Sequence, residues 1–271
     1  MTDNKNIFSG DLSLLRQIPN VLRARGFRLY LANGKRIVDL WLNGGAAVLG
    51  HTPANMLREL KNTASRGLFA PFPHFTENRF LKALLKLFPG HSFRLYASPP
   101  VELTESLKNE TVKFWRPYIE PKEPFATNNI PLFIPILPGI QTWRDGMPMG
   151  LCIVAAKSQE HLSQLPPNDL LSPILLAVAT RGIYNIIAAP ERANPKLPRV
   201  EKELKNNSQS IWQKQGIYLI LKEKPTLQEW NTLFNKFFEA GFLLPPAPSF
   251  PLILPGELSD GEEVKLVSVL C

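Results

Sequence analysis

The residues best placed to do chemistry in this chain gather at the end of one short strand. Residues 93–97 (Phe-Arg-Leu-Tyr-Ala) read as a strand, and Ser98-Pro99-Pro100 carries the chain into a helix beginning near 101. A strand-to-helix turn is a ready anion site, because free backbone N–H groups and the positive end of the helix dipole converge there. Proline has no N–H, so Pro99 and Pro100 delete two of the expected donors. Ser98 keeps its hydroxyl, but no base is spaced to activate it, and it reads as a helix cap rather than a nucleophile. Lys157, in Ala155-Ala156-Lys157-Ser158, offers a primary amine beyond an apolar run and reads as the start of a solvated helix. The histidines His51, His74, His91 and His161 fall in unrelated segments without metal-ligand spacing, so they read as turn and surface groups. Gly44-Gly45 lacks the order of a dinucleotide fingerprint and is assigned no nucleotide.

The elements that must position these residues are legible in part. Residues 27–31 and 35–41 alternate around Asn33-Gly34, which predicts a β-hairpin with a type I′ turn. Residues 54–67 carry Met56, Leu57, Leu60 and Ala64 at helical spacing with Gly67 as the stop. Residues 76–88 predict a second helix with Leu81, Leu84, Leu85 and Phe88 on one stripe, ended by Pro89-Gly90. Further on, Thr226 and Glu229 form a capping box, Trp230, Leu233, Phe234 and Phe237 make a buried stripe, and Gly241 supplies a left-handed stop. The 26 prolines concentrate at 117–138, 190–198 and 245–255, the expected seams between blocks.

Composition sets the outer bounds. With 271 residues, 44% apolar and 20% charged, the chain can bury a large core, which excludes whole-chain disorder. Cys152 lies in an apolar run and Cys271 is last, a usage that predicts a reduced, cytoplasmic protein rather than a disulfide scaffold. The polar opening residues and the absence of a long apolar run predict no leader and no membrane span. The net charge of +8 is scattered and interleaved with acids, as in Lys196 to Lys205 around Glu201 and Glu203, which reads as solvated faces, not a nucleic-acid surface.

The order of hairpin, Leu49-Gly50-His51, helix, aromatic loop 69–75, helix ending Leu87-Phe88-Pro89-Gly90, and strand into Ser98 resembles the class III aminotransferases, above all glutamate-1-semialdehyde aminomutase. Further matching stretches are 132–142, Asp145 to Leu151, 166–170 and 233–248. The resemblance implies an α/β fold of the PLP-dependent transferase kind (fold type I, aspartate aminotransferase-like), with a truncated central sheet and a smaller α+β C-terminal domain. It implies three blocks: 1–50, with the hairpin, packing on the C-terminal domain; 51–195, a reduced large domain; and 196–271, a small domain. Between Tyr118 and Phe133 only a Pro-rich connection stands where the family has several elements of its sheet.

In that family a Ser-Gly-Thr turn holds the phosphate of pyridoxal phosphate, a strand-end aspartate keeps the ring nitrogen protonated, and a lysine forms the Schiff base. Here Ser98 matches the serine, Pro99 and Pro100 replace its partners, and Pro138 with Gly139 replaces the acidic pair. Between Glu123 and Ala156 there is no lysine, and Lys157 lies beyond the matching strand. The resemblance therefore implies an aminotransferase-like pseudoenzyme with a binding or structural role and no pyridoxal phosphate, Ser98 being vestigial. Its alternatives are an active PLP-dependent aminotransferase or aminomutase using Lys157, and a basic module for an acidic partner. It also implies a homodimer, or a heterodimer with a related aminotransferase; loop 69–75, with three Phe to cover, reads as an apolar interface more than as the wall of a ligand pocket, where the family's counterpart faces the active site across the dimer.

Overall fold

The computed structural model describes residues 12–108, 112–119, 130–144, 147–207 and 210–270. Asp145, Gly146, Cys271 and most of the Pro-rich connection lie outside them. The chain divides into two compact units, Pro53–Pro117 with Pro121–Ala189, and Gly10–Thr52 with Tyr118–Glu120 and Pro190–Cys271.

The second of these units begins with β1 (Val21–Arg25), β2 (Arg28–Leu31) and β3 (Arg36–Asp39), paired antiparallel in sequence order. The hairpin at Asn33-Gly34 forms, but its turn is not type I′. Only Gly34 takes a positive φ, 79°, and Leu31 N–H donates to Lys35 O at 2.9 Å, closing a three-residue loop with glycine in the left-handed position. Asn33 keeps a negative φ because its side chain braces the turn by accepting the Lys35 N–H at 3.1 Å.

The first unit follows with α1 (Met56–Ala64) and α2 (Thr76–Leu87). Gly67 and Gly90 take positive φ at the ends of the two helical stretches, as expected. The buried stripe of α2 is rotated from the expected one. Phe80, Ala83, Leu84 and Phe88 are buried, whereas Leu85 is 46% exposed, since Phe80 and Ala83 complete an i, i+3, i+4 face that leaves Leu85 outside. On α1, Leu57 is likewise exposed.

Next come β4 (Ser92–Tyr96), α3 (Val101–Lys108), β5 (Lys113–Phe114), β6 (Leu132–Ile134), β7 (Thr142–Arg144), β8 (Met147–Met149), β9 (Cys152–Ala156), α4 (Gln159–Ser163) and α5 (Pro173–Ile187). The sheet order is β4-β9-β6-β5, with β9 antiparallel to both neighbours, so β4, β6 and β5 run the same way. All five residues of β9 are buried, the mark of a strand covered on both faces. The outer edge of β4 is closed by the chain itself: Leu95 N–H donates to Asn168 Oδ1 at 3.2 Å and Asp169 N–H to Leu95 O at 2.9 Å. Helix α5 packs on α1 and α2.

The second unit is completed by α6 (Pro198–Asn206), β10 (Trp212–Gln215), β11 (Tyr218–Leu221), α7 (Leu227–Glu239), β12 (Phe242–Leu243), β13 (Leu252–Ile253) and α8 (Asp260–Leu270). β12 adds to β3 in parallel, and β10-β11-β13 form a separate antiparallel sheet. Trp230, Phe234 and Phe237 of α7 are buried with Ile37 and Val38 of β3 and Leu266 of α8. Each such side chain contributes about 1.5–3 kcal/mol on leaving water. The Thr226–Glu229 capping box is present, and Gly241 has a φ of 96°.

Candidate functional site

Because β4 and β6 are parallel, their carboxyl ends lie at one edge of the sheet, the edge where open α/β sheets bind ligands. Ser98 and Pro138, the two positions singled out from sequence, both follow those ends. Ser98 is half-buried in the bend between β4 and α3, with Pro99 buried behind it. The amide just before it is already used, since Ala97 N–H donates to the Asp169 carboxylate at 2.8 Å. Ala97 O accepts from Gly150 N–H at 2.7 Å, which ties the start of β9 to the same turn. An anion supplied by the chain thus holds the donor at the mouth of this turn, and the prolines contribute none.

At the end of β6, residues 135–137 are buried and the chain bends at Pro138-Gly139. Helix α5 fills the space over that bend. A Cβ on Gly182 would stand 1.9 Å from Pro138 O, so the two backbones meet with only hydrogen between them. Gly139 lies against Ala179 of the same helix, where a Cβ would be 3.8 Å away. No carboxylate occupies this position, and the backbone of α5 packs directly against it.

Lys157 is exposed and lies at the other end of the sheet. Tyr96 pairs with Cys152 and Ser92 with Ala156, so the whole paired length of β4 and β9 separates Lys157 from Ser98. At about 3.4 Å per residue that stretch alone is about 14 Å, more than a lysine side chain spans. The residues present do not fit pyridoxal phosphate: Pro99 and Pro100 offer no N–H to a phosphate, no carboxylate stands at Pro138 to hold a ring proton, and Lys157 lies at the other end of β9.

Beside this edge, Gln141 is buried and donates from Nε2 to Met149 O at 3.0 Å. Cys152 is buried with its Sγ directed at Pro148 O, 3.7 Å away, and burial pushes its thiol well above the ordinary value. It is therefore no nucleophile.

Two polar clusters in the other unit escaped the sequence reading. His51, expected at a surface turn, is half-buried and bonds through Nε2 to Asp39 Oδ2 at 3.0 Å. Asp39 is buried, and its Oδ1 accepts the backbone N–H groups of Trp41 and Leu42 at 2.8 and 2.9 Å. These bonds hold the chain through Leu42 and Asn43, both at positive φ, and the pair lines a cavity of about 350 Å³ with Trp41 and Asn43. The sequence signal was the Asp39 at the end of an alternating strand facing Gly50-His51, but nothing in spacing fixes a contact across twelve residues. Arg192, in turn, is buried without a carboxylate: Nε donates to Val48 O at 2.8 Å, a second nitrogen donates to Leu254 O, and the guanidinium lies 5.2 Å over the Phe27 ring. His91, also expected at the surface, is buried with its ring 6.0 Å from Phe88. Among the described residues no three His, Cys, Asp or Glu side chains come together as a metal site, and no single helix is long and apolar enough to cross a bilayer.

No protein-family model matches the chain. An uncharacterized protein of Treponema pallidum is 27% identical over 297 residues, covering 89% of this chain and 91% of that protein. Another, from Borreliella burgdorferi, is 25% identical over 263 residues, covering 93% and 90%. A glutamate-1-semialdehyde 2,1-aminomutase of Lawsonia intracellularis is 28% identical over 130 residues, 43% of this chain and 30% of that enzyme. Among solved structures, an ornithine aminotransferase from Plasmodium yoelii superimposes with a TM-score of 0.63 at 12% identity, covering 93% of this chain and 92% of its own. An acetylornithine aminotransferase from Elizabethkingia anophelis gives 0.60 at 11% identity, covering 93% and 92%. The fold is a reduced version of fold type I, the architecture of the PLP-dependent aminotransferases. The aminomutase stretch is a sequence likeness to one part of such an enzyme, alongside the likeness in fold.

Proposed function

We propose that this chain is a catalytically silent aminotransferase-like protein that acts in the cytoplasm by binding or as a structural partner, without pyridoxal phosphate. The observation that carries the reading is the close packing of Gly182 against Pro138 O, which leaves helix backbone and no carboxylate beside the strand end. The Ala97–Asp169 hydrogen bond and the placement of Lys157 at the far end of β9 support it from two other directions. A pairwise assembly, with itself or with a related aminotransferase, fits the exposure of Phe69, Phe72 and Phe75, at 65%, 51% and 52%, on one loop.

The test is turnover. The purified protein, supplied with excess pyridoxal phosphate, is expected to transfer no amino group from a panel of amino acids and to leave glutamate-1-semialdehyde unchanged. Turnover that is abolished by changing a single lysine would overturn the proposal and restore the enzyme reading. Light scattering on the same sample measures assembly, and a monomer at high concentration would count against the pairing.

A further inference from the structure

Away from the sheet edge, α1, α2 and α5 enclose a groove of about 440 Å³ lined by Glu59, Thr76, Arg79, Lys82, Thr180 and Arg181. A smaller adjoining hollow of about 230 Å³ adds Arg66. Four cations thus face one carboxylate. Among the described residues none of Arg66, Arg79, Lys82 and Arg181 takes part in an ion pair. Arg181 is half-buried in α5 with its Nε shut off from solvent and without a hydrogen-bond partner. Helix α2 starts at Thr76, so the positive end of its dipole adds to the same wall. Arg79 is steadied by the Phe75 ring, 5.5 Å from its guanidinium carbon.

Like charges lining one groove repel, and that cost is relieved by one kind of occupant. We infer that this groove binds a small molecule carrying an oxyanion group, phosphoryl or carboxylate, with Arg181 and Arg79 as the forked donors and Lys82 as a point charge. The volume suits a metabolite-sized ligand. Glu59 on the same wall selects an occupant that also presents a hydroxyl or ammonium group. The site is independent of the coenzyme reading above, because it lies among helices and uses no group at the strand ends.

The test is isothermal titration of the full chain with sodium pyrophosphate, sodium phosphate and sodium citrate at matched ionic strength in a chloride background. Saturable binding to pyrophosphate or phosphate but not citrate assigns a phosphoryl ligand; binding to citrate alone assigns a carboxylate ligand; binding to both supports the shared oxyanion chemistry. Arg181→Met is expected to weaken binding about tenfold or more, the loss of one desolvated charged hydrogen bond. Arg79→Gln and Lys82→Gln, both at exposed side chains, test the site without threatening the fold, and each is expected to weaken binding several-fold, while Lys214→Gln in the other unit leaves it unchanged. Absence of saturable binding to all three salts overturns the inference, and so does binding that Arg79→Gln and Lys82→Gln leave at wild-type strength. These salts carry no aldehyde, so neither result bears on whether a lysine captures the coenzyme.

Discussion

Gly182 in α5 and Pro138 after β6 touch backbone to backbone, with 1.9 Å between the Pro138 oxygen and the point where a Cβ on residue 182 would stand. Gly182→Ala must therefore move the helix or the strand end, because neither obstacle is a flexible side-chain tip. It is expected to destabilise the protein by about 3 kcal/mol or more, beyond the usual cost of overpacking. Gly139→Ala, whose Cβ would meet Ala179 at an ordinary 3.8 Å, is expected to change stability by no more than about 1 kcal/mol. Urea unfolding of the two variants checks the contrast.

Arg28 on β2 and Glu262 on α8 are 234 residues apart in sequence and form a two-pronged ion pair, Nε to Oε1 at 3.0 Å and Nη2 to Oε2 at 2.7 Å. The Arg28 hydrogen bond is the main cause that holds the Glu262 carboxyl down at about 2, with Ser259 N–H adding to it against the opposing effect of burial. A folded-state value below the unfolded one of 4.5 means that the stabilisation is complete above pH 4.5 and is lost as pH falls toward 2. Glu262→Gln is expected to cost about 1–2 kcal/mol at neutral pH, less than the full shift implies because both groups keep contact with water. It should also flatten the acid limb of the stability curve, and denaturation between pH 2 and 7 measures both.

Asp39 accepts two backbone amides and bonds His51, so Asp39→Ala strands buried donors and is expected to cost about 2–4 kcal/mol. His51→Ala removes one of those bonds and should cost less. A double-mutant cycle by chemical denaturation separates the pair's own coupling from the amide bonds.

Asp169→Ala frees the Ala97 amide and loosens the strap over the edge of β4. Amide hydrogen exchange at Ala97 is expected to quicken relative to wild type, while amides within β9 stay protected.

Elements were legible where the pattern was local. The Thr226–Glu229 capping box and the hairpin were readable because their partners lie within a few residues. The turn departs from type I′ because the Asn33 side chain, not its backbone, shapes it, and the α2 stripe is rotated because the faces holding Phe80 and Leu85 are both apolar and only packing decides which is buried. The candidate site divides in the same way. Ser98, Pro99, Pro100 and Pro138 were legible as positions at strand ends, but that Asp169 reaches Ala97, that Gly182 packs on Pro138, and that Lys157 sits at the far end of β9 all follow from strand register and long-range packing, which no spacing encodes.

The central claim, that this scaffold no longer holds the coenzyme through a lysine, is tested most directly by intact-protein and peptide mass measurement after incubation with pyridoxal phosphate and reduction with borohydride. The expected result is sparse labelling scattered over exposed lysines that rises without saturation. One phosphopyridoxyl group per chain, saturating and confined to a single lysine, would contradict it.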